Sequence, residues 1–247
     1  MMREVIIPLD FPNRNTAIEF LRLFDREDQK DQKEHKPFVK VGMELFFAEG
    51  PALVHEIAER GHRIFLDLKA HDIPNTVRGA MASLSRLPVA IVNIHASGGL
   101  AMMKAAREGI NSGINGGSGV NGGKRPLLIA VTILTSIGDA QMNAELGIPG
   151  AVVDTAARLA LLAKQAELDG VVCSPAEAGA VHEACGAKFL TVTPGVRFDD
   201  ADAGDQARVV TPQMALQLGS DMIVVGRPIT KASDPVKAYN AYRDAFL

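Results

Sequence analysis

The residues best suited to chemistry fall in one stretch, Phe65-Leu66-Asp67-Leu68-Lys69-Ala70-His71-Asp72-Ile73-Pro74-Asn75-Thr76. It begins as an apolar strand and ends as the start of a helix, with Pro74 suited to the first turn. Side chains alternate along a strand, so Asp67 and Lys69 share one face while Leu66 and Leu68 share the other. Two opposite charges therefore sit side by side on an apolar wall, with the Asp72 carboxylate just beyond. Charges on a buried strand are costly unless paired or used, which points to an active site. Lys40, in Phe38-Val39-Lys40-Val41-Gly42, is another charge on an otherwise apolar strand. It needs a carboxylate partner, and Asp67 on the adjacent strand is the natural one. The array Lys40, Asp67, Lys69, Asp72 then alternates in sign, each pair at ~4 Å giving about 4 kcal/mol of attraction at an effective dielectric of about 20. Such mutual support keeps both lysines charged despite burial. Asp72 also has a plainer reading, as a carboxylate favoured by the dipole of the helix that follows.

These residues need elements to position them. Short Val-, Ile- and Leu-rich runs at 5–10, 38–42, 63–68, 89–94, 127–132, 170–173, 188–193 and 221–225 read as strands. Helical patterns follow them at 16–24, 51–60, 74–85, 100–108, 152–168, 175–184, 211–218 and 234–245. Strands apolar on both faces suit a parallel sheet covered by helices. Eight strand–helix units in 247 residues predict an α/β fold, a single-domain (β/α)8 TIM barrel spanning residues 1–247. An open doubly wound sheet is the runner-up, but Leu9-Asp10-Phe11-Pro12 stands where its glycine fingerprint would be.

A barrel places function at the C-terminal ends of its strands. Asp10 ends the first strand, Lys40 lies near the end of the second, and Asp67 and Lys69 end the third. Asn93 and His95 end the fourth, while Thr135 and Ser136 follow the fifth. The loops after strands seven and eight carry Thr193-Pro194-Gly195-Val196-Arg197 and Val225-Gly226-Arg227-Pro228. Barrels commonly hold phosphate there. Gly195 and Gly226 let the backbone approach closely, and Arg197 and Arg227 supply charge-assisted hydrogen bonds. The bland alternative is a pair of turn glycines with surface arginines.

Other patterns exclude more than they suggest. Gly117, Gly119 and Gly122 satisfy G-x-G-x-x-G, but a helix precedes them and a strand follows, the reverse of a dinucleotide site. The acidic run Asp199, Asp200, Asp202 and Asp205 lacks calcium-loop spacing. Segment 25–36 mixes charges densely and reads as solvated. Six scattered histidines and two isolated cysteines, Cys173 and Cys185, leave no metal site and no disulfide framework. A net charge of −3, no Trp and two Tyr give no nucleic-acid or anionic-membrane surface. The chain shows no signal-peptide pattern and no spanning apolar run, so a cytoplasmic location is the simplest expectation.

The stretch 67–76 resembles the signature of the orotidine 5′-phosphate decarboxylases of the bacterial branch. Similarity extends through Phe38-Val39-Lys40-Val41-Gly42-Met43-Glu44-Leu45-Phe46, Leu134-Thr135-Ser136, Thr191-Val192-Thr193-Pro194-Gly195-Val196-Arg197, Asp205-Gln206-Ala207-Arg208 and Val224-Val225-Gly226-Arg227, in order along almost the whole chain. The resemblance implies a cofactor-free and metal-free conversion of orotidine 5′-phosphate to UMP and CO2 in pyrimidine synthesis. It further implies a homodimer in which Asp72 and Thr76 act in the partner's site. Asp10 and Lys40 would hold ribose hydroxyls, and Thr135 would contact the pyrimidine. Gln206, Arg197, Gly226 and Arg227 would handle phosphate, with Gln206 reaching toward the base. Lys69 would stabilise the carbanion left by CO2 and protonate it, while Asp67 faces the departing carboxylate. Closure of the 197–210 loop on phosphate would raise the rate through remote binding energy.

Departures are few. Segment 25–36 and the glycine-rich loop at 111–123 look long, and Pro228 removes one backbone N–H beside Arg227. Two rivals remain open at this point. One is a Mg²⁺-dependent sugar-phosphate barrel sharing the Asp-x-Lys-x-x-Asp motif; the other is a phosphometabolite-binding barrel without catalysis, against which the intact charge set argues.

Overall fold

The computed structural model describes residues 3–25, 36–115, 124–198 and 210–247, apart from the side chains of residues 114 and 115. Eight parallel strands close into a barrel in sequence order, β8 pairing back onto β1. They are β1 (Glu4–Pro8), β2 (Phe38–Gly42), β3 (Ile64–Ala70), β4 (Ile91–His95), β5 (Leu127–Val131), β6 (Gly170–Val172), β7 (Leu190–Pro194) and β8 (Met222–Val224). The helices are α1 (Arg14–Arg22), α2 (Met43–Glu59), α3 (Pro74–Leu84), α4 (Gly99–Asn115) and α5 (Asp139–Glu145). They continue as α6 (Val152–Gln165), α7 (Pro175–Cys185), α8 (Pro212–Gln217), α9 (Arg227–Thr230) and α10 (Pro235–Phe246). The barrel expected from the alternation of strand and helix patterns is the fold observed, and the open-sheet alternative is set aside.

Strand periodicity divides the core into two compartments. One set of positions, Ile6, Phe38, Phe65, Ile91, Ile129, Val192 and Met222, plugs the barrel interior. The alternate positions, among them Ile7, Val39, Leu66, Val92 and Ile223, pack outward under the helices. Full burial of each large plug residue contributes about 1.5–3 kcal/mol. Two residues further along the strands, the inward positions become Pro8, Lys40, Asp67, Asn93, Val131, Pro194 and Val224. The apolar plug is thus the floor of a polar upper layer.

Three details differ from expectation. The helix predicted from Pro51 has an additional segment before it, from Met43, joined across a kink at Gly50, whose φ is 69°. The short α5 lies in a stretch whose pattern predicts no helix, and α9 follows directly on Gly226. Strand β3 runs to Ala70 instead of ending at Leu68, with a register irregularity between Leu66 and Ala70. Within that irregularity Lys69 adopts a left-handed φ of 51°.

Helix α3, which carries Thr76 in its first turn, lies tight against α4. Gly109 and Gly113, one turn apart on α4, make that approach possible. A Cβ at either position would overlap backbone carbonyls of α3, those of Arg78 and Ala82 respectively. Among the described residues no helix is long and apolar enough to cross a membrane. The G-x-G-x-x-G glycines, the acidic run from Asp199 to Asp205 and Gln206 lie outside the described residues.

Candidate active site

The upper layer of the barrel gathers charge around one carboxylate. Asp67 is buried, and its Oδ1 accepts hydrogen bonds from Lys69 Nζ at 2.7 Å and Asn93 Nδ2 at 2.6 Å. Its Oδ2 lies 3.1 Å from Lys40 Nζ. Lys40 also reaches Asp10 Oδ1 at 3.2 Å, so its ammonium sits between two carboxylates. Burial alone would raise the Asp67 pKa, but Lys40 and Lys69 outweigh it and hold the carboxyl below its usual range. Burial likewise works against the Lys40 ammonium, yet Asp67 and then Asp10 carry its pKa above the ordinary lysine value. Lys40 and Asp67 thus each favour the other's charged form, as a buried pair must.

Local backbone explains the geometry. Along β3, Asp67 points inward by simple alternation from Phe65. The irregular turn of chain at Lys69 brings its ammonium back toward the same carboxylate. Asn93 fixes that turn: its Oδ1 accepts the Lys69 backbone N–H at 2.8 Å while its Nδ2 donates to Asp67. Sequence reasoning places Asn93 on the rim but assigns it no part. The signal is its inward register on an apolar strand, two positions beyond Ile91.

The four-membered array expected from sequence is not formed within one chain. Asp72 is exposed, and its Oδ1 accepts the Ile73 backbone N–H at 2.6 Å at the start of α3. It lies past the strand end, where the alternation that faces Asp67 inward no longer applies. Asp10 takes the second place beside Lys40 instead. Thr76 is exposed on the first turn of α3. His71 and His95 meet on the rim with ring centroids 5.6 Å apart. Burial, then the neighbouring His71 and Lys69, push the His95 pKa below that of a free imidazole.

Two connected chambers open above the plug. The smaller, about 210 Å³, is walled by apolar groups including Phe65, Val131, Ile133 and Val172, with Thr135 at its edge and Asp67, Lys69 and Lys40 along one side. The larger, about 530 Å³, is lined by Asp10, Lys40, Gly195, Arg197, Gly226, Arg227, Thr230 and Lys231 among others. Lys40, Pro194 and Val224 line both. The smaller suits a flat ring with a polar edge, and the larger, rich in cations, suits an anion. Thr230 and Lys231 are not anticipated by the sequence pattern; they enter because α9 starts immediately after Gly226 and carries them to the chamber wall.

The loop after β7 is shaped to bring Arg197 there. Gly195 has φ 81°, a conformation that favours glycine. Arg197 N–H donates to the Val210 carbonyl at 2.9 Å, and Val210 N–H to the Gly195 carbonyl at 3.3 Å. The Phe198 N–H donates to Tyr242 Oη at 3.1 Å, and the two rings pack tilted by 40° with centroids 4.4 Å apart. These contacts pin both described ends of the segment between 198 and 210 to the barrel and α10. Arg197 is buried, whereas Arg227 is exposed at the first position of α9. Pro228 occupies the second position of that helix, where a backbone N–H has no intrahelical acceptor to lose.

Comparison with known proteins identifies the family. The chain is 49% identical over 243 residues to an orotidine 5′-phosphate decarboxylase of Bacillus cereus, covering 98% of this chain and 97% of the relative. The same enzyme of Bacillus anthracis is also 49% identical over 243 residues, with the same coverage of both chains. Among solved structures, the orotidine 5′-phosphate decarboxylase of Lactobacillus acidophilus superposes with a TM-score of 0.79 at 40% identity, covering 99% of each chain. An uncharacterized conserved protein from Geobacillus kaustophilus gives a TM-score of 0.82 at 45% identity, covering 98% of this chain and 100% of that one. Residues 3–242 match the orotidine 5′-phosphate decarboxylase / HUMPS family across the barrel and both chambers, and the chain belongs to that family.

Proposed function

We propose that this protein decarboxylates orotidine 5′-phosphate to UMP and CO2 in pyrimidine synthesis. The observation that carries the chemistry is the buried Asp67 clamped between Lys40 and Lys69, at the wall of a ring-sized chamber that opens into a cationic one. The pyrimidine occupies the smaller chamber beside Thr135. The phosphate occupies the larger, held by Arg197, Gly226 and Arg227, with Gln206 as a further ligand. Asp10 and Lys40, at the junction, take the ribose hydroxyls.

In this reading the bond from ring carbon C6 to the carboxylate breaks, CO2 leaves, and the electron pair stays on C6. That pair is poorly delocalised, so the barrier is electrostatic, and a preorganised ammonium lowers it. Lys69 supplies the ammonium and then its proton to C6, giving UMP; the amine regains a proton from water. Asp67 orients Lys69 through their 2.7 Å hydrogen bond, and its repulsion toward the substrate carboxylate is relieved as CO2 departs. No step calls for a metal or an organic cofactor. The alternative of Mg²⁺-dependent sugar-phosphate chemistry is less favoured by relatives named as decarboxylases at 49% identity over nearly the full length.

Purified, metal-stripped protein tests the reading directly. Loss of orotidine 5′-phosphate absorbance that persists in EDTA is the expected result. Turnover abolished by EDTA and restored by Mg²⁺ favours the metal-dependent alternative, and tight UMP binding without turnover favours a binding protein.

The active form in this proposal is a homodimer, with Asp72 and Thr76 completing the partner's site. Its support is that both are exposed in one chain, and that Ile73 between them leaves 67% of its surface uncovered. Asp72→Ala and Lys69→Ala subunits, each inactive alone, should then recover activity on mixing, because each heterodimer contains one site with neither substitution. Heterodimers that form yet stay inactive remove the shared site.

A further inference from the structure

The Lys40 ammonium touches both halves of the site, 3.1 Å from Asp67 Oδ2 and 3.2 Å from Asp10 Oδ1. Such a bridge needs room, and that room is found at position 42. Gly42 is buried, ends β2, and pairs with Asp67 in the strand register. Its backbone is extended, with φ −88° and ψ −179°, a conformation open to any residue. Neither a turn nor a positive φ calls for glycine here, in contrast to Gly195 at φ 81°. What calls for it is space. A Cβ on residue 42 would stand 3.2 Å from Lys40 Nζ and 3.4 Å from Asp10 Oδ1.

We propose that Gly42 is a positioning residue for the decarboxylation, its missing side chain leaving the space in which Lys40 bridges Asp10 and Asp67. The inference rests on the role given to Lys40 above. An added methyl group meets the far end of a flexible side chain, not backbone, so the ammonium moves and the fold stays. A shift of a few tenths of an ångström lengthens one of two charged contacts and turns the donors away from the reacting centre. Preorganised sites are sensitive to displacements on that scale.

The test is a double-mutant cycle read in kcat/KM for orotidine 5′-phosphate. Gly42→Ala should lower kcat/KM about tenfold, mostly in kcat. In a Lys40→Ala background, where there is no ammonium to displace, the same substitution should change it less than about twofold. Inhibition by inorganic phosphate, which probes the Arg197 and Arg227 end of the larger chamber, should stay within about twofold of wild type in Gly42→Ala. A tenfold loss in both backgrounds, no loss in either, or weakened phosphate inhibition overturns the inference while leaving the decarboxylase reading intact. Lys40→Ala turning over at the wild-type rate removes the role of Lys40 and the inference with it. Should Gly42→Ala not fold, the collision with Lys40 predicts that Lys40→Ala/Gly42→Ala does fold, and failure of both overturns the proposal.

Discussion

At opposite ends of the barrel, two aspartates are each clamped by two cations, and the cations differ. At the C-terminal rim Asp67 is held by Lys40, Lys69 and the Asn93 amide. At the N-terminal end Asp169, just before β6, is held by Arg107 Nη2 at 2.8 Å and by Arg125 through two bonds of 2.7 and 2.8 Å. It also accepts the Leu128 backbone N–H at 2.8 Å. Both carboxyls are kept below their usual pKa against the opposing effect of burial. The arginines form planar forks, cannot give up a proton, and here tie α4 and the approach to β5 to the start of β6. The lysines are compact charges on flexible stems, able to move and to donate. One end of the barrel uses a buried carboxylate to close a seam; the other sets one between two ammonium groups beside a cavity.

The sharpest way to break the comparison is to give Asp67 the partner type of Asp169. Lys69→Arg preserves the charge but removes the transferable proton. Turnover should fall about 10⁴-fold, while UMP affinity measured by calorimetry stays within about tenfold of wild type. Residual activity within about tenfold of wild type would falsify Lys69 as the acid. Next in size is Asp169→Ala, which leaves two neighbouring arginines without their carboxylate. It should cost about 3 kcal/mol of stability, lowering Tm by roughly 10 °C, with kcat for the surviving fold unchanged. A fall in kcat with an unaltered Tm reverses the assignment of the two clusters.

The smallest effect is in alkali. A lysine whose pKa is raised in the folded state stabilises fully below its unfolded value, and loses that contribution as pH climbs through the folded value. The Lys40 contribution should therefore hold constant below its ordinary 10.5 and fade above it. The Arg125 pKa is also raised, chiefly by its hydrogen bonds to Asp169, so the seam outlasts the site. The Tm difference between wild type and Lys40→Ala should shrink above pH 10.5, while that between wild type and Asp169→Ala does not. Toward acid both clusters behave alike. Stability from the lowered carboxyls is present above 3.8 and lost as pH falls through their depressed values.

Period-two alternation makes much of this legible in the sequence. It puts Lys40 and Asp67 on inward positions of neighbouring strands, and the Gly–Arg pairs after β7 and β8 mark the cationic chamber. It fails where the backbone leaves regular geometry. Nothing in Asp67-Leu68-Lys69 announces a left-handed residue, because Lys has no preference for that region; the turn is held from β4 by Asn93, a contact no local pattern contains. Asp72 reads into the same array because it is close in sequence, yet the chain turns outward before reaching it. Gly50-Pro51 reads as a helix boundary and is one, since Gly50 is non-helical at φ 69° and ψ −165°; what the pattern misses is the helical run from Met43 that precedes it. Gly42 looks like an ordinary strand end, since the demand on it comes from a lysine two residues earlier.

The left-handed Lys69 also has a consequence for which residues suit its position. Holding a non-glycine residue at φ 51° costs of order 1–3 kcal/mol. The site thus keeps its lysine at a position where glycine or asparagine would be more comfortable. Replacing Lys69 by either residue relieves that strain but takes one of two cations from the buried Asp67, so backbone comfort and charge pairing pull in opposite directions at position 69.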